Sequence, residues 1–289
     1  MKILVTGLNS YIGNSFIEWM KESEWIIDKT SLRKEVWKIE DWSCYDAILH
    51  VAGIAHADVT RATAEIQEKY YKINSDLTEA VARKAKQEGV KQFVYMSSVI
   101  VYGDSAPIGK TKEIHLQSDA FPANFYGDSK LQGERKIVPL ADEGFKVTII
   151  RTPMVYGIGS KGNFPKLKKL AEITPIFPKI ENRRSMIYIK NLCEFVRICI
   201  EKELEGVFLP QNKEIVSTSE LVRKIALTDG KNIRLVPGLT WILKLLSHIT
   251  GYINKIFGNM EIAQTASQHE LEYCLYSLEM SLQEMKKEG

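Results

Sequence analysis

The sequence has few cysteines, and they lie far apart. Among its 289 residues, Cys44, Cys193, Cys199 and Cys274 form no Cys-x-x-Cys pair and no zinc-like spacing. We therefore expect neither a disulfide framework nor a bound metal. Reduced thiols are typical of the cytoplasm, which is the location we expect.

Long apolar runs and an excess of one charge are also missing. Met1–Gly7 is too short for a signal peptide and ends at a glycine turn. Leu239–Phe257 is interrupted by polar residues such as Lys244 and Asn254, so it falls short of the roughly 18 apolar residues that predict a membrane span. The formal net charge of +3 is too small to indicate a nucleic-acid partner.

Short β-rich segments alternate with helical segments through the first half of the chain. The predicted strands are Ile3–Thr6, Trp25–Leu32, a short one around Val36–Glu40, Ala47–Ala52, Gln92–Met96 and Lys146–Ile150. The predicted helices cover about Ile12–Lys21, about Thr63–Glu88 and a segment beginning near Tyr126. This alternation is typical of the α/β class and predicts a Rossmann-type doubly wound parallel sheet.

The alternation weakens after Arg151, where prolines and the loop Gly157–Gly162 follow. We predict a dinucleotide-binding Rossmann domain over residues 1–155 and a smaller C-terminal, mainly substrate-binding lobe over residues 156–289, with room for some of its elements to return to the core. Within that lobe, Ser217–Glu220 matches a capping box and predicts a helix running to about Leu227.

The first motif with chemical meaning is Thr6-Gly7-Leu8-Asn9-Ser10-Tyr11-Ile12-Gly13, directly after the first strand. Glycines there let the backbone turn and approach a pyrophosphate, while the helix N-terminus offers N–H groups and a partial positive charge. Ser10 replaces the middle glycine of the usual fingerprint. An ordinary strand-to-helix turn is the alternative, but the position favours a dinucleotide site.

Two further motifs carry hydroxyl and amine groups. Tyr126 and Lys130 lie one helical turn apart, so we expect the Lys130 ammonium beside the Tyr126 phenol. A nearby positive charge predicts that the pKa of Tyr126 is lowered from about 10. A pair on a solvated helix is the alternative. Ser97 and Ser98 end a strand, at the edge where doubly wound folds bind ligands.

In this order, the motifs resemble the extended branch of the short-chain dehydrogenase/reductase superfamily: nucleotide-sugar epimerases, dehydratases and 4-keto reductases. The resemblance covers about residues 1 to 195 and includes His50–Gly53, Lys72–Asn74, Arg151–Gly157 and Arg184–Ile189. It is most similar to the bacterial polysaccharide branch. The resemblance implies hydride transfer at the sugar ring, at C4, by either a 4-epimerase or a 4-keto reductase.

The resemblance also implies individual roles. Ser98, Tyr126 and Lys130 are its catalytic residues, with Tyr126 exchanging a proton with a sugar oxygen that Ser98 binds. The implied cofactor-binding residues are Gly7, Asn9, Ser10, Tyr11, Ile12, Gly13, Ser31, Arg33, Val51, Ala52, Gly53, Asn74, Tyr126, Lys130 and Pro153. Ser98, Asn163 and Arg184 are implied to bind substrate, the last two at its phosphates; a turn residue and a surface ion pair are the alternatives for Asn163 and Arg184. His56 is a further candidate, for which a helix-start histidine is the alternative.

Two departures from the family pattern are informative. Dehydratases follow their catalytic threonine with Asp-Glu, whereas this chain has Val99 and Ile100, so it is predicted not to be a 4,6-dehydratase. At the end of the second strand, Ser31 and Arg33 favour NADP(H) over NAD(H), because the serine carries no negative charge and the arginine can pair with a 2′-phosphate. Asp28 competes for this role if the strand shifts register.

Other classes of function remain open. A non-catalytic NAD(P)-binding sensor or regulatory protein is the alternative, although such relatives usually lose the Tyr-x-x-x-Lys pair. Leu239–Phe257 has apolar residues at helical spacing, which fits an interfacial helix at a membrane or a helix packed on the lobe or a partner subunit. By analogy with the family we expect a homodimer acting on a UDP- or dTDP-linked sugar.

Overall fold

The computed structural model describes residues 1–55, 62–249 and 251–288, and His56 lies outside the described residues. The chain forms two compact units. The first contains Met1–Gly103, Ser118–Thr152 and Leu192–Pro210. The second contains Asp104–Gln117, Pro153–Asn191 and Gln211–Gly289.

The regular elements are numbered here in chain order. The strands are β1 Lys2–Thr6, β2 Ile26–Thr30, β3 Ala47–His50, β4 Gln92–Ser98, β5 Glu113–Ile114, β6 Lys146–Thr152, β7 Met154–Tyr156, β8 Ile176–Pro178, β9 Met186–Tyr188, β10 Gly206–Phe208, β11 Arg234–Val236 and β12 Glu261–Ile262. The α-helices are α1 Tyr11–Trp19, α2 Ala64–Tyr71, α3 Leu77–Gln87, α4 Phe125–Ile137, α5 Phe164–Ile173, α6 Ile189–Glu201, α7 Thr218–Thr228, α8 Thr240–Ile249, α9 Gly251–Phe257 and α10 Leu278–Glu288.

The first unit is built on a six-stranded parallel sheet with the order β10-β6-β4-β3-β1-β2. Strand β3 is buried throughout and β4 nearly so, as expected of strands covered on both faces. Because all six strands run in one direction, their carboxyl ends meet at one edge, where Thr6 pairs with His50 and Ser98 with Thr152. This arrangement confirms the Rossmann-type α/β fold.

Helices of the first unit begin where side chains cap the backbone. The Ser10 hydroxyl accepts from the Gly13 N–H at 3.2 Å, and the Asn124 amide oxygen accepts from the Gly127 N–H at 3.1 Å. The long helix predicted over Thr63–Glu88 is present as α2 and α3, joined without a break by a π-helical turn over Lys72–Asp76. Such a turn changes which face later residues present.

The prediction of a short strand around Val36–Glu40 is wrong, because Glu35–Lys38 forms a 3-10 helix. Trp37 is buried there and stacks on Trp42, with ring centroids 5.8 Å apart. Val36 and Ile39 are 57% and 86% exposed, a pattern that a strand covered on both faces would not leave. A single inward tryptophan therefore anchors this connection beside the sheet.

The second unit contains three short parallel strand pairs, β7 with β9, β8 with β11 and β5 with β12. The predicted helix near Ser217 is confirmed as α7, and the Ser217 hydroxyl accepts from the Glu220 N–H at 3.1 Å. The predicted apolar segment Leu239–Phe257 is represented by α8 and α9. Within the described residues, no helix is long and apolar enough to cross a bilayer.

Candidate active site

The loop after β1 is held tightly against the loop after β3. Gly7 has a φ of 92°, which favours glycine, and a Cβ there would lie 3.1 Å from the Ala52 Cα atom. A Cβ on Gly13 would lie 2.9 Å from side-chain atoms of both Val5 and Val51. The two glycines therefore let the start of α1 approach the sheet edge closely, as binding of a pyrophosphate there requires.

The end of β2 carries the residues expected to select the cofactor. The Ser31 hydroxyl accepts from the Arg33 N–H at 3.4 Å, and the Arg33 side chain is exposed. Asp28 lies in the middle of the strand, opposite Leu4, and accepts from the Tyr45 hydroxyl at 2.9 Å. Ser31 and Arg33 thus follow the carboxyl end of the strand, and Asp28 does not.

Sequence reasoning missed Glu40 at this end of β2. The Thr30 hydroxyl is 2.8 Å from one Glu40 carboxylate oxygen and 3.0 Å from the other, and the Trp42 indole N–H donates to the same carboxylate. No local signal marks Glu40, because the contact joins residues ten positions apart across the 3-10 helix.

Helix α4 is fastened to the last three residues of β4 by side chains spaced one turn apart. The Tyr126 phenol is close enough to the Ser98 side chain for an interaction with its hydroxyl that lowers the pKa of the phenol. The Lys130 ammonium donates to the Met96 carbonyl oxygen at 3.0 Å. One turn further on, Glu134 accepts from the Ser97 hydroxyl. Residues at i, i+4 and i+8 share a helix face, so the structure brings Ser98, Tyr126 and Lys130 together at the sheet edge.

The pKa of the Tyr126 phenol is shifted in the direction opposite to the shift predicted from the sequence. Burial raises the pKa of Tyr126 to about 12, nearby Tyr70 adds to that, and the hydrogen bond with Ser98 lowers it. The expectation that Lys130 depresses this pKa is therefore wrong in this structure. Lys130 is itself buried and bonded to Met96, so burial of the phenol dominates.

The Lys130 ammonium lies in a narrow, fully enclosed position. Burial lowers the pKa of Lys130 to about 8, and the charge of Glu134 acts in the opposite direction. The ammonium lies 4.8 Å from the centroid of the Tyr95 ring. A Cβ on Gly53 would lie 3.1 Å from the Lys130 Nζ atom and 3.0 Å from the Asn74 Oδ1 atom. Glycine at position 53 therefore leaves the space that Lys130 and Asn74 occupy.

Asn74 connects the loop after β3 to α4. It is fully buried in the π-helical turn, and its amide accepts from the Ile54 N–H at 2.8 Å and donates to the Ile54 carbonyl at 3.0 Å. The same Nδ2 atom donates to the Ser129 hydroxyl at 3.1 Å. The close approach needs Gly133, where a Cβ would collide with the Asn74 carbonyl oxygen.

A buried ion pair lies behind the three central side chains. The Arg151 guanidinium donates to the Glu134 carboxylate through Nε and Nη2, the latter at 2.6 Å, and through Nη1 to the Tyr102 hydroxyl at 2.6 Å. The side chains of Glu134 and Arg151 are 3% and 11% exposed. The pair fixes α4 against β6, and sequence reasoning did not identify it.

The dehydratase positions open a 3-10 helix over Val99–Tyr102. Ser98 caps this turn, its hydroxyl accepting from the Ile100 N–H at 3.3 Å. The turn therefore begins with two aliphatic side chains directly after Ser98, where an acid and a base would be needed to eliminate water.

The remaining predicted residues, Pro153, Asn163 and Arg184, belong to the second unit. Pro153 precedes β7, and Asn163 precedes α5. Arg184 donates to the carbonyls of Ile256 at 3.3 Å and Gly258 at 3.4 Å, and burial lowers its pKa to about 10. A partly buried guanidinium held by backbone carbonyls is suited to receive an anion.

A Rossmann-type sheet with Tyr126, Lys130 and Ser98 at its carboxyl edge, together with a matching family model and the curated relatives, defines the class of this protein: it is an extended short-chain dehydrogenase/reductase. More narrowly, the chain belongs to the RmlD substrate binding domain family, whose model matches residues 1–237.

Similar proteins fall in the same group. The chain is 29% identical to a UDP-glucose 4-epimerase of Vibrio cholerae, over 90% of this chain and 86% of that protein. It is 28% identical to an N-acetyl-alpha-D-glucosaminyl-diphospho-ditrans,octacis-undecaprenol 4-epimerase of Escherichia coli O157:H7, over 65% of this chain and 56% of that protein. A solved dTDP-4-dehydrorhamnose reductase of Bacillus anthracis in complex with NADP shares the fold, with a TM-score of 0.72, 20% identity and 99% coverage of both chains.

Proposed function

We propose that this protein is a nicotinamide-dependent nucleotide-sugar 4-epimerase or 4-keto reductase that serves surface polysaccharide biosynthesis. The observation that carries the proposal is the interaction of Tyr126 with Ser98 at the carboxyl edge of the sheet, one helical turn from the buried Lys130, whose ammonium is bonded to Met96 of the same strand. Membership of a family whose relatives include a UDP-glucose 4-epimerase supports the same class of substrate.

The first unit fits a dinucleotide. Gly7 and Gly13 allow the start of α1 to lie close against the loop after β3, where its N–H groups would bind a pyrophosphate, and Gly53 leaves the space that Lys130 and Asn74 occupy. The proposed binding set in this unit is Gly7, Asn9, Ser10, Tyr11, Ile12, Gly13, Ser31, Arg33, Val51, Ala52, Gly53, Asn74, Tyr126 and Lys130. Pro153 is proposed as a further member. The chemistry that a bound nicotinamide supplies is hydride transfer to or from a sugar carbon.

The chain's own residues handle the proton at the sugar oxygen. With a pKa of about 12, the Tyr126 phenol stays protonated near neutral pH, which is the form that donates a proton to a keto oxygen. In the opposite direction the phenol must lose that proton, which the interaction with Ser98 favours and burial opposes. The Ser98 hydroxyl holds the reacting oxygen beside Tyr126.

Arg184 and Asn163 are proposed to bind the substrate's diphosphate. The Arg184 guanidinium donates to the carbonyl oxygens of Ile256 and Gly258, which fixes its position, and its delocalised charge and N–H groups are suited to binding a phosphate. A lipid-linked diphosphate sugar is a second candidate substrate, favoured by the undecaprenol-linked name of the Escherichia coli relative. Both substrates present the same diphosphate chemistry.

The proposal is tested by incubating the protein with a panel of UDP- and dTDP-sugars and their 4-keto derivatives, with NAD, with NADPH and without added cofactor, and following sugar products and cofactor oxidation together. An epimerase converts substrate without net loss of NADPH, whereas a reductase consumes one equivalent per product. Replacing Tyr126→Phe should reduce turnover about 100-fold or more while cofactor binding is retained. Tyr71→Phe removes a phenol bonded to Asp128 and serves as the matched control.

Two results would contradict this proposal. The first is that no sugar of the panel is converted. The second is that the Tyr126→Phe variant is as active as wild type. Either result would favour the NAD(P)-binding regulatory alternative.

By analogy with the family we also propose a homodimer, which light scattering of the purified protein measures directly.

A further inference from the structure

Helix α8 presents apolar side chains on two sides. Leu243 is 9% exposed and packs inward, whereas Trp241 and Leu245 are 67% and 61% exposed. The two exposed residues are four positions apart and therefore share one outward face. A surface helix of a water-exposed protein ordinarily carries polar side chains there.

The residues on this outward face are suited to the boundary between water and lipid. Tryptophan combines a large apolar ring with an N–H donor, and it concentrates at membrane interfaces for that reason. Leu245 adds a second apolar side chain on the same face. An indole and a leucine side by side in water leave apolar area that contact with lipid would bury.

The chain segment that carries this face is basic. Lys244 is exposed between Trp241 and Leu245 in the sequence, and its Nζ atom would lie 3.0 Å from a Cβ on Gly109, the neighbour of exposed Lys110. Between Asp229 and Glu261 the sequence contains no acidic residue. The basic residues of that segment are Lys231, Arg234, Lys244 and Lys255.

This charge distinguishes between possible occupants of the face. A symmetric dimer formed through α8 would bring the same lysines of two copies together, and their like charges would repel. An anionic lipid surface attracts them instead, by about 1 kcal/mol for each basic residue near it. We propose that the outward face of α8, formed by Trp241, Leu245 and Lys244, docks the protein on the surface of an anionic lipid bilayer. The inference does not depend on the proposed reaction.

The test uses the full chain and vesicles of phosphatidylcholine with or without phosphatidylglycerol. We expect the protein to sediment with the anionic vesicles, to bind neutral ones more weakly, and to be released by added salt. The double variant Trp241→Ser, Leu245→Ser should reduce the partition coefficient about tenfold or more. Ile173→Ser is the matched control, because Ile173 is also 67% exposed in the second unit.

Two further measurements test the proposal even if the double variant folds poorly. Lys244→Glu should weaken binding to anionic vesicles while leaving the circular dichroism spectrum unchanged. Indole emission should shift to shorter wavelength on vesicle binding, and Trp241→Phe should remove most of that shift. The proposal is overturned if the wild-type protein does not bind anionic vesicles, or if the double variant binds as well as wild type. It is equally overturned if the double variant has a different oligomeric mass from wild type and neither protein binds vesicles, because the face would then be a contact between copies of this chain.

Discussion

The Cβ position of Gly53 lies 3.1 Å from the Nζ atom of Lys130, so the loop after β3 and helix α4 meet at a position where only a hydrogen fits comfortably. The same Cβ would lie 3.0 Å from the Asn74 amide oxygen, which accepts from the Ile54 N–H. Three separate elements thus converge on one ammonium group. Any added atom must displace either Lys130 or Asn74.

Replacing Gly53→Ala should therefore weaken function more than folding. Lys130 can swing away at its flexible end, which relieves the contact but moves the ammonium from its place at the Met96 carbonyl. We expect kcat to fall about tenfold or more, because a displacement of about 1 Å can cost 100-fold. Gly144→Ala is the control, since a Cβ there meets nothing closer than 3.7 Å. Equal activity of both variants would show that the position of Lys130 is not critical.

Local patterns predicted the frame of this site well. The β1 strand, the glycine loop and α1 follow directly in the sequence, and the strand-to-helix order was confirmed. Tyr126 and Lys130 could be paired in advance because helical spacing fixes their common face. Ser98 could be placed at the sheet edge because it ends a predicted strand.

Contacts between distant residues could not be predicted in the same way. Glu134 meets Ser97 across 37 positions and Arg151 across 17, and nothing in the spacing of these residues marks the pair. The direction of the Tyr126 pKa shift failed for a related reason. Burial is a property of the packed unit, so a sequence that shows a nearby lysine does not show how deeply the phenol lies.

The buried pair of Glu134 with Arg151 should be a strong stability determinant when only one partner is changed. Glu134→Gln keeps the shape but leaves the guanidinium without its counter-charge, so the free energy of unfolding should fall by about 3–5 kcal/mol. Urea unfolding measures this change.

A surface pair provides the comparison. Lys146 and Glu203 form a 2.8 Å ion pair whose side chains are 35% and 43% exposed. Glu203→Gln should therefore cost about 0–1 kcal/mol, because solvent screens the interaction. If the two glutamine variants lost similar stability, the buried pair would have no special structural role.

Arg33 provides a direct test of cofactor preference. Its exposed side chain follows the end of β2 beside Ser31, where it can pair with a 2′-phosphate. Arg33→Ala should raise the Kd for NADPH about tenfold and leave the Kd for NADH nearly unchanged. Fluorescence titration with both cofactors measures the ratio, and Arg83→Ala, on the surface of α3, is the control. Tighter binding of NADH by the wild-type protein would contradict the preference and would direct attention to Glu40.

Lys130 should make stability depend on pH in a specific window. Burial lowers its pKa from 10.5 to about 8 in the folded protein. Between these values the unfolded chain binds the proton and the folded chain does not, so stability contributed by this group rises with pH from 8 to 10.5. Below pH 8 the buried ammonium is destabilising by a constant amount.

The matched experiment compares wild type with Lys130→Met by urea unfolding across this range. Several buried tyrosines have raised pKa values and lose stability at high pH, but they are common to both proteins and cancel in the difference. The unfolding free energy of wild type minus that of Lys130→Met should increase by about 3 kcal/mol between pH 8 and pH 10.5. A flat difference would mean that Lys130 keeps its ordinary pKa in the folded protein. The ammonium would then have to be solvated, and the enclosed position beside Gly53 and Tyr95 could not be its place in solution.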